Sequence, residues 1–421
     1  MRPYKSTLAI LALTPLLTSA DWPHYHGPTF NNQSAEKIAR FWPEAGPREV
    51  WRAELNTGFS SLAVAGGRAY TLVQRDVETV DHEGVVAVDA DTGRELWFTP
   101  LCVATYRGGG DSGAANNKGG DGPRSTPSVL GDRVYVYSSK MKLFCLDAST
   151  GSEIWSADVL KDYNGKNITW ESAASPVVDG ALVFVYGGGP GEALLAFDRR
   201  TGQLAWKGED DGMTHSTPTP ATLHGVRQII YFTQTGLVSV EAATGEVLWR
   251  RDYPYKTSRA ISPVVSGNLV YASQGYGVGA GVYRVGKQGS DWSVEEVWRT
   301  PNRQLNHWST PVIHDGYIYG IFDHNKHATA PLKCVNLMTG EDVWEQAGFG
   351  MGNVILVDGR LLALTDYGEI VMVEPTPDKY TEVARAKVLD GKCWSTPAVS
   401  NGRLYVRSTL EGACFDQGSR E

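Results

Sequence analysis

The chain lacks several features that would decide its class at once. Its 421 residues contain no run of about 20 apolar side chains, the length a helix needs to cross a bilayer. It has no basic cluster. Its 39 Lys and Arg face 47 Asp and Glu, for a net charge of −8, which argues against a nucleic-acid surface. Cysteine is scarce: Cys102, Cys145, Cys334, Cys393 and Cys414 are all there are. They show no CxxC or Cys/His spacing of a zinc site, and an odd count leaves at least one thiol outside any disulfide. No Gly-x-Ser-x-Gly elbow marks a serine hydrolase, and no long segment has helical periodicity.

The first 20 residues stand apart. Arg2 and Lys5 give a positive start, Thr7 to Leu17 is a short apolar stretch broken by Pro15, and Thr18-Ser19-Ala20 supplies small residues before a cut. This pattern is a secretory signal, too short for a membrane span. It predicts a periplasmic or secreted chain starting near Asp21, and no Cys follows the cut to carry a lipid. Export permits disulfides, so a Cys102–Cys393 pair stays open. Cys145, Cys334 and Cys414 recur at one position of three repeats, where Cys acts as a small buried hydrophobe.

Glycine is abundant, at 47 residues, and five of them stand at the same place in one repeated phrase. An Asp, Glu or Asn is followed three residues later by Thr-Gly and, four after that Gly, by Trp. The copies run from Asp89 to Trp97, Asp147 to Trp155, Asp198 to Trp206, Glu241 to Trp249 and Asn336 to Trp344. Asp bonds its own backbone ahead and Gly takes the positive φ of a tight turn. A second signal precedes each phrase: Ser125-Thr126-Pro127, Ala174-Ser175-Pro176, Ser216-Thr217-Pro218, Ile261-Ser262-Pro263, Ser309-Thr310-Pro311 and Ser395-Thr396-Pro397 each open an apolar run. Ser60-Ser61-Leu62 and Gly352-Asn353-Val354 keep the place without the proline. The eight openings recur about every 48 residues, and repeats of this length mean propellers or solenoids.

Each repeat reads as four short strands, A to D, and Pro at the first position of a strand costs no ladder bond. The sequence therefore predicts an all-β, eight-bladed β-propeller over residues 21–421, a single domain with four antiparallel strands per blade. The Trp ending strand D is expected to pack on the next blade, its N–H bonded to a neighbouring carbonyl. The last repeat stops after strand C, and residues 48–52 look like the missing strand D, so an N-terminal strand is expected to close the ring and remove an open edge. Two blades are degenerate: the fifth carries an insertion at Lys287–Trp292, and the seventh has Glu374-Pro375-Thr376-Pro377 and no terminal Trp. The Gly/Asn-rich stretch 106–123 is either functional or mobile.

The complete phrase at Ala87–Trp97 resembles the docking motif of eight-bladed propellers of the pyrroloquinoline quinone (PQQ) type. Asp21-Trp22-Pro23 with Gly27-Pro28 is similar to the opening of a group of secreted bacterial PQQ-like repeat proteins. The resemblance covers nearly the whole chain after residue 20. It implies the quinoprotein alcohol dehydrogenase-like fold. That superfamily includes PQQ-dependent alcohol dehydrogenases and cofactor-free propellers such as the outer-membrane protein assembly lipoprotein.

In such a ring, the residues just before each strand A converge on one funnel, joined by B–C loop residues such as Tyr276. Arg124, Glu171, His215, Arg259, His307, Trp308, Asn353, Asp366 and Trp394 are the candidate ligand residues there, against the plainer reading of solvated loop ends. Arginine suits planar carboxylates, and PQQ is a planar tricarboxylate. The dehydrogenase reading by resemblance needs calcium, a catalytic carboxylate and a Trp floor, and often a Cys-Cys pair, which this chain lacks. Glu171, Asn353 and Asp366 are the residues to offer calcium, with Trp308 or Trp394 as floor. No spacing marks a catalytic residue or a metal site; His324 and His327, beside Asp323, are only a weak pair. The expectation is a binding or scaffold module working through the funnel face on a protein or small anionic ligand, with no cofactor required. The alternative is a PQQ- and calcium-dependent dehydrogenase.

Overall fold

The computed structural model describes residues 21–105, 122–323 and 328–418. The signal-like segment, most of the 106–123 stretch, and His324 and His327 lie outside them. The described residues form eight sheets, seven of four antiparallel strands and one with a fifth, parallel strand added to its four, and one turn of helix, Val159–Asp162. Blade 1 is typical in order: A is Ala63–Ala65, B Arg68–Val77, C Val80–Asp89 and D Glu95–Val103. Strand A is shorter than the sequence suggested, usually three residues, because the Ser/Thr-Pro pair lies just ahead of it. The last blade takes its strand D from Arg48–Glu54, which pairs with Glu411–Asp416, so an N-terminal strand does close the ring.

The repeated phrase is a joint between blades. Asp89 Oδ1 accepts the amides of Asp91 and Thr92 and the Thr92 hydroxyl, and Asp147 and Asp198 repeat this. Gly at the end of the turn has positive φ and lies under the preceding blade's indole. A Cβ on Gly93 would come 2.7 Å from the Trp51 ring, on Gly151 2.5 Å from Trp97, and on Gly202 2.6 Å from Trp155. The indole N–H then reaches the next blade: Trp51 to Ala90 O (2.9 Å), Trp97 to Ala148 O (3.2 Å), Trp206 to Ala242 O (3.1 Å) and Trp298 to Leu337 O (2.8 Å). Blade 5 has no Thr-Gly, and Trp249 accordingly turns to Gln228 Oε1 in its own sheet (2.7 Å).

The Ser/Thr of most openings joins blades at the other radius. Ser61 N–H donates to Thr126 Oγ1 (2.9 Å), Thr126 N–H to Ser175 Oγ (2.9 Å) and Ser175 N–H to Thr217 Oγ1 (2.9 Å). Thr396 N–H donates to Ser61 Oγ (2.8 Å), carrying the chain of bonds across the closure. A hydroxyl is needed there because strand A of one blade has no ladder partner on its inner side, and buried amides must be paired.

One comparison isolates the docking contact. A Cβ on Gly245 (φ +78) would come 2.6 Å from the Trp206 ring, whereas one on Gly225 (φ +79) would meet nothing within 4 Å. Both Gly→Ala changes carry the backbone strain of positive φ. Gly245→Ala is expected to cost a further 1–3 kcal/mol or so from overpacking, read as the difference between the two urea midpoints. Equal midpoints would remove the joint from the account.

The channel along the ring axis is filled by the chain itself. Trp22 exchanges backbone bonds with Val64 in blade 1 (2.8 Å each), and Pro23 O accepts Val129 N–H in blade 2 (2.9 Å). His26 Nε2 lies 2.8 Å from Ser262 Oγ at the opening of blade 5, and Asn32 Nδ2 donates to Thr310 O of blade 6 (3.0 Å). Gln33–Ser34 then adds a parallel strand inside Asn353–Val357 of blade 7. Gly27 permits the reversal: its φ is +76, and a Cβ would meet the Trp22 ring at 2.9 Å.

All five cysteines are free, so the Cys102–Cys393 pair is not made. Burial pushes the Cys145 and Cys334 thiols up to about 11 and those of Cys102 and Cys414 to about 12, which disfavours the thiolate.

Candidate functional site: an aromatic funnel floored by the N-terminal segment

A cavity of about 180 Å³ lies at the mouth of the ring where the strand A openings converge. One wall is a continuous run of rings. Phe59 stacks on Trp394 (4.8 Å, 17°), Trp394 meets Trp308 (4.3 Å), Trp308 meets His307 (4.9 Å), and His307 meets Tyr276 edge-on (4.9 Å). Arg124, which lies over the Phe59 ring (5.7 Å), Trp170 and His215 continue the lining, and Tyr25 of the N-terminal segment also lines the space. Among the described residues the lining holds no carboxylate. Lys392 lies over the Trp394 ring from outside the lining (4.8 Å). The pocket is thus apolar at its walls and positive at its edge, with few polar anchors.

Those anchors are oriented. Arg124 Nη1 donates to Trp170 O (3.0 Å), which holds the guanidinium at the wall. His215 Nε2 is 3.1 Å from the Thr169 carbonyl, and its Nδ1 is 2.9 Å from Ser258 Oγ. A carbonyl only accepts, so Nε2 carries the proton and Nδ1 accepts from the serine. Burial, aided by the Arg124 charge, lowers His215 to about 4, so it is a neutral imidazole at pH 7 and a weak base. The Trp394 indole N–H finds no acceptor among the described residues. Trp308 Nε1 is taken by Met351 O (3.0 Å).

Of the residues expected at the funnel, Arg124, His215, His307, Trp308 and Trp394 line the cavity. The other four do not. Arg259 is fully buried: its guanidinium bonds Gln274 Oε1 and the carbonyls of Thr233, Tyr253 and Pro254, and lies on the Phe232 ring at 3.8 Å. It ties loops together and has no reach to a ligand. Asn353 begins strand A of blade 7 and gives its amide to Trp394 O (2.6 Å). Asp366 accepts the Ala328 amide at 3.2 Å. Glu171 pairs with Lys140 (2.5 Å) in an adjoining depression. The three carboxylate and amide groups suggested for calcium are therefore each engaged apart. Among the described residues no three His, Cys, Asp or Glu side chains gather as a metal site. This donor set does not fit the calcium of a quinoprotein.

Phe59 and Trp170 escaped the sequence reading although each stands one residue before a position it named, Ser60 and Glu171. Moving the window one residue earlier would have found them. Tyr25 had no such signal, because its place depends on contacts with strands far away in sequence.

Eight blades, the Trp–Gly joints and a funnel at the strand A openings define a propeller of the PQQ-repeat type. The family model described as outer membrane protein assembly factor BamB matches residues 81–346, and the chain belongs to that family. A BamB from Moranella endobia is 23% identical over 77% of this chain and 69% of its own length. The quinohemoprotein alcohol dehydrogenase ADH IIB of Pseudomonas putida is 35% identical, but over 29% of this chain and 17% of its own length. Among solved structures, BamB from Moraxella catarrhalis superposes with a TM-score of 0.58 at 15% identity, covering 88% of this chain and 99% of that one. The quinohemoprotein alcohol dehydrogenase of Comamonas testosteroni reaches 0.66 at 13% identity, covering 96% and 81%. At these identities the structural likeness concerns the fold. No helix among the described residues is long and apolar enough to cross a membrane.

Proposed function

We propose that this chain is an exported binding or scaffold module that works through its funnel face and takes a small, flat, ring-bearing anion in the funnel cavity. The observation that carries this is the lining itself: a run of stacked rings with Arg124 beside it, and no carboxylate among the described residues. Ring faces offer stacking area at low entropic cost, and the guanidinium offers two parallel donors to a carboxylate. Membership of a family described by an outer membrane protein assembly factor supports a place in the cell envelope and protein partners on the surrounding rim. The local match to a quinohemoprotein dehydrogenase favours PQQ as a ligand to try. The scattered Glu171, Asn353 and Asp366 weigh against a calcium-dependent enzyme.

The test is titration of the purified protein with PQQ, a flat tricarboxylate, with and without calcium, following melting temperature and tryptophan fluorescence. Saturable quenching and a raised melting temperature, independent of calcium and weakened at least tenfold by Arg124→Ala, are expected. No response at millimolar PQQ would overturn the reading. A calcium-dependent response with alcohol-dependent reduction of a dye would replace it by the dehydrogenase.

A further inference from the structure

The Asp21-Trp22-Pro23 and Gly27-Pro28 motif has a structural outcome that the propeller repeat does not explain. It folds residues 22–34 into the central channel, held by blades 1, 2, 5, 6 and 7. Trp22 is 1% exposed and anchors the entry. His26 is held on both ring nitrogens, by Asn32 (2.9 Å) and Ser262 (2.8 Å). His24 stacks on Phe30 (4.5 Å, 15°). Between the two histidines, Tyr25 lines the funnel cavity. A ligand that enters this funnel meets a side chain belonging to the N-terminal segment and not to any blade.

We infer that residues 22–34 are a ligand-coupled plug. Tyr25 is a contact residue of the funnel ligand, and occupancy of the funnel and docking of the plug stabilise one another. The inference rests on the binding function proposed above. Its physical basis is linkage. The Tyr25 contact exists only while the plug is docked, so a ligand using it binds the docked state more tightly. By reciprocity the docked plug must raise ligand affinity by the same factor. The filled channel also leaves the funnel mouth as the route in and out for such a ligand.

Hydrogen exchange and binding on the whole chain test this, with PQQ as probe and 2-naphthoate as a second flat anion. Saturating probe is expected to slow exchange about tenfold at Trp22 and Asn32, and at Val64, Val129 and Leu356, whose amides donate to the plug. Tyr25→Ala should weaken the probe about tenfold. Asn32→Ala, which loosens the plug at His26 and Thr310 without lining the cavity, should weaken it as well, and Phe41→Ala, on an exposed side chain, should not. If Asn32→Ala fails to fold, exchange on the wild type and the Tyr25→Ala affinity still decide. Binding that is unchanged in Tyr25→Ala, with no exchange response over 22–34, would overturn the plug and leave the binding function standing. Absence of binding to the wild type would overturn both.

Discussion

Trp51→Ala is expected to cost about 3–5 kcal/mol of stability, the range for removing a buried aromatic side chain, and removal of Arg48–Glu54 is expected to abolish cooperative melting. Trp51 is buried and does three things at once. It belongs to the strand that completes the last blade, its ring packs on Gly93 of blade 1, and its N–H bonds Ala90 O. Tyr405 gives its hydroxyl to the same carbonyl (3.2 Å), so this acceptor holds both ends of the ring. The Trp51 joint, like the other indole joints, links segments about 40 residues apart. The pairing of its strand with Glu411–Asp416 and the Tyr405–Ala90 bond close a loop of nearly the whole chain. Without the strand, Glu411–Asp416 becomes an open edge able to pair with another chain. Urea unfolding followed by tryptophan fluorescence measures the point variant, and light scattering follows the deletion. A loss below about 1 kcal/mol for Trp51→Ala, or a sharp melt from the deletion, would show that the blades hold together without closure.

Acidification from pH 6.5 to 4 is expected to remove stability on the order of 3 kcal/mol for each of His24, His26 and His215, at ~1.4 kcal/mol per pKa unit. Burial lowers each of the three to about 4 from 6.5. The unfolded chain therefore binds these protons first as pH falls. The stability is fully present above 6.5, is lost through the window down to 4, and changes no further below it. The surroundings set the sizes. Asp179 partly restores His24, Asn32 partly restores His26, and Arg124 pushes His215 further down. Glu36, raised by burial to about 7, works the other way between 7 and 4.5. Asp89, Asp147, Asp198, Asp358 and Asp416 have lowered values, so their contribution is lost at still lower pH. Urea midpoints at pH 7.5, 5.5 and 4.5 read the slope, and the double variant His24→Gln, His26→Gln should flatten it. A wild-type profile flat from 7.5 to 4.5 would mean that water reaches the imidazoles. Two of the three lie in the plug, so acid should loosen residues 22–34 before the blades.

Much of this molecule was legible from its residues. The Asp-x-x-Thr-Gly turn, the Trp and the Ser/Thr-Pro opening each act within one blade or on the next. Their chemistry is local, so period and residue type were enough to predict eight blades, the indole joints and the closing strand. The site was half legible. Position in the repeat brought Arg124, His215, His307, Trp308 and Trp394 to the funnel, because every strand A starts at the same mouth. Position did not say where a long side chain points. Arg259 had the right place in the repeat, yet its guanidinium turned to the carbonyls of Thr233, Tyr253 and Pro254, since a buried charge must be paired wherever partners are nearest. The channel was decided by tertiary structure alone. Residues 22–34 carry no repeat, and their partners, from Val64 to Leu356, come together only once the ring has closed around them.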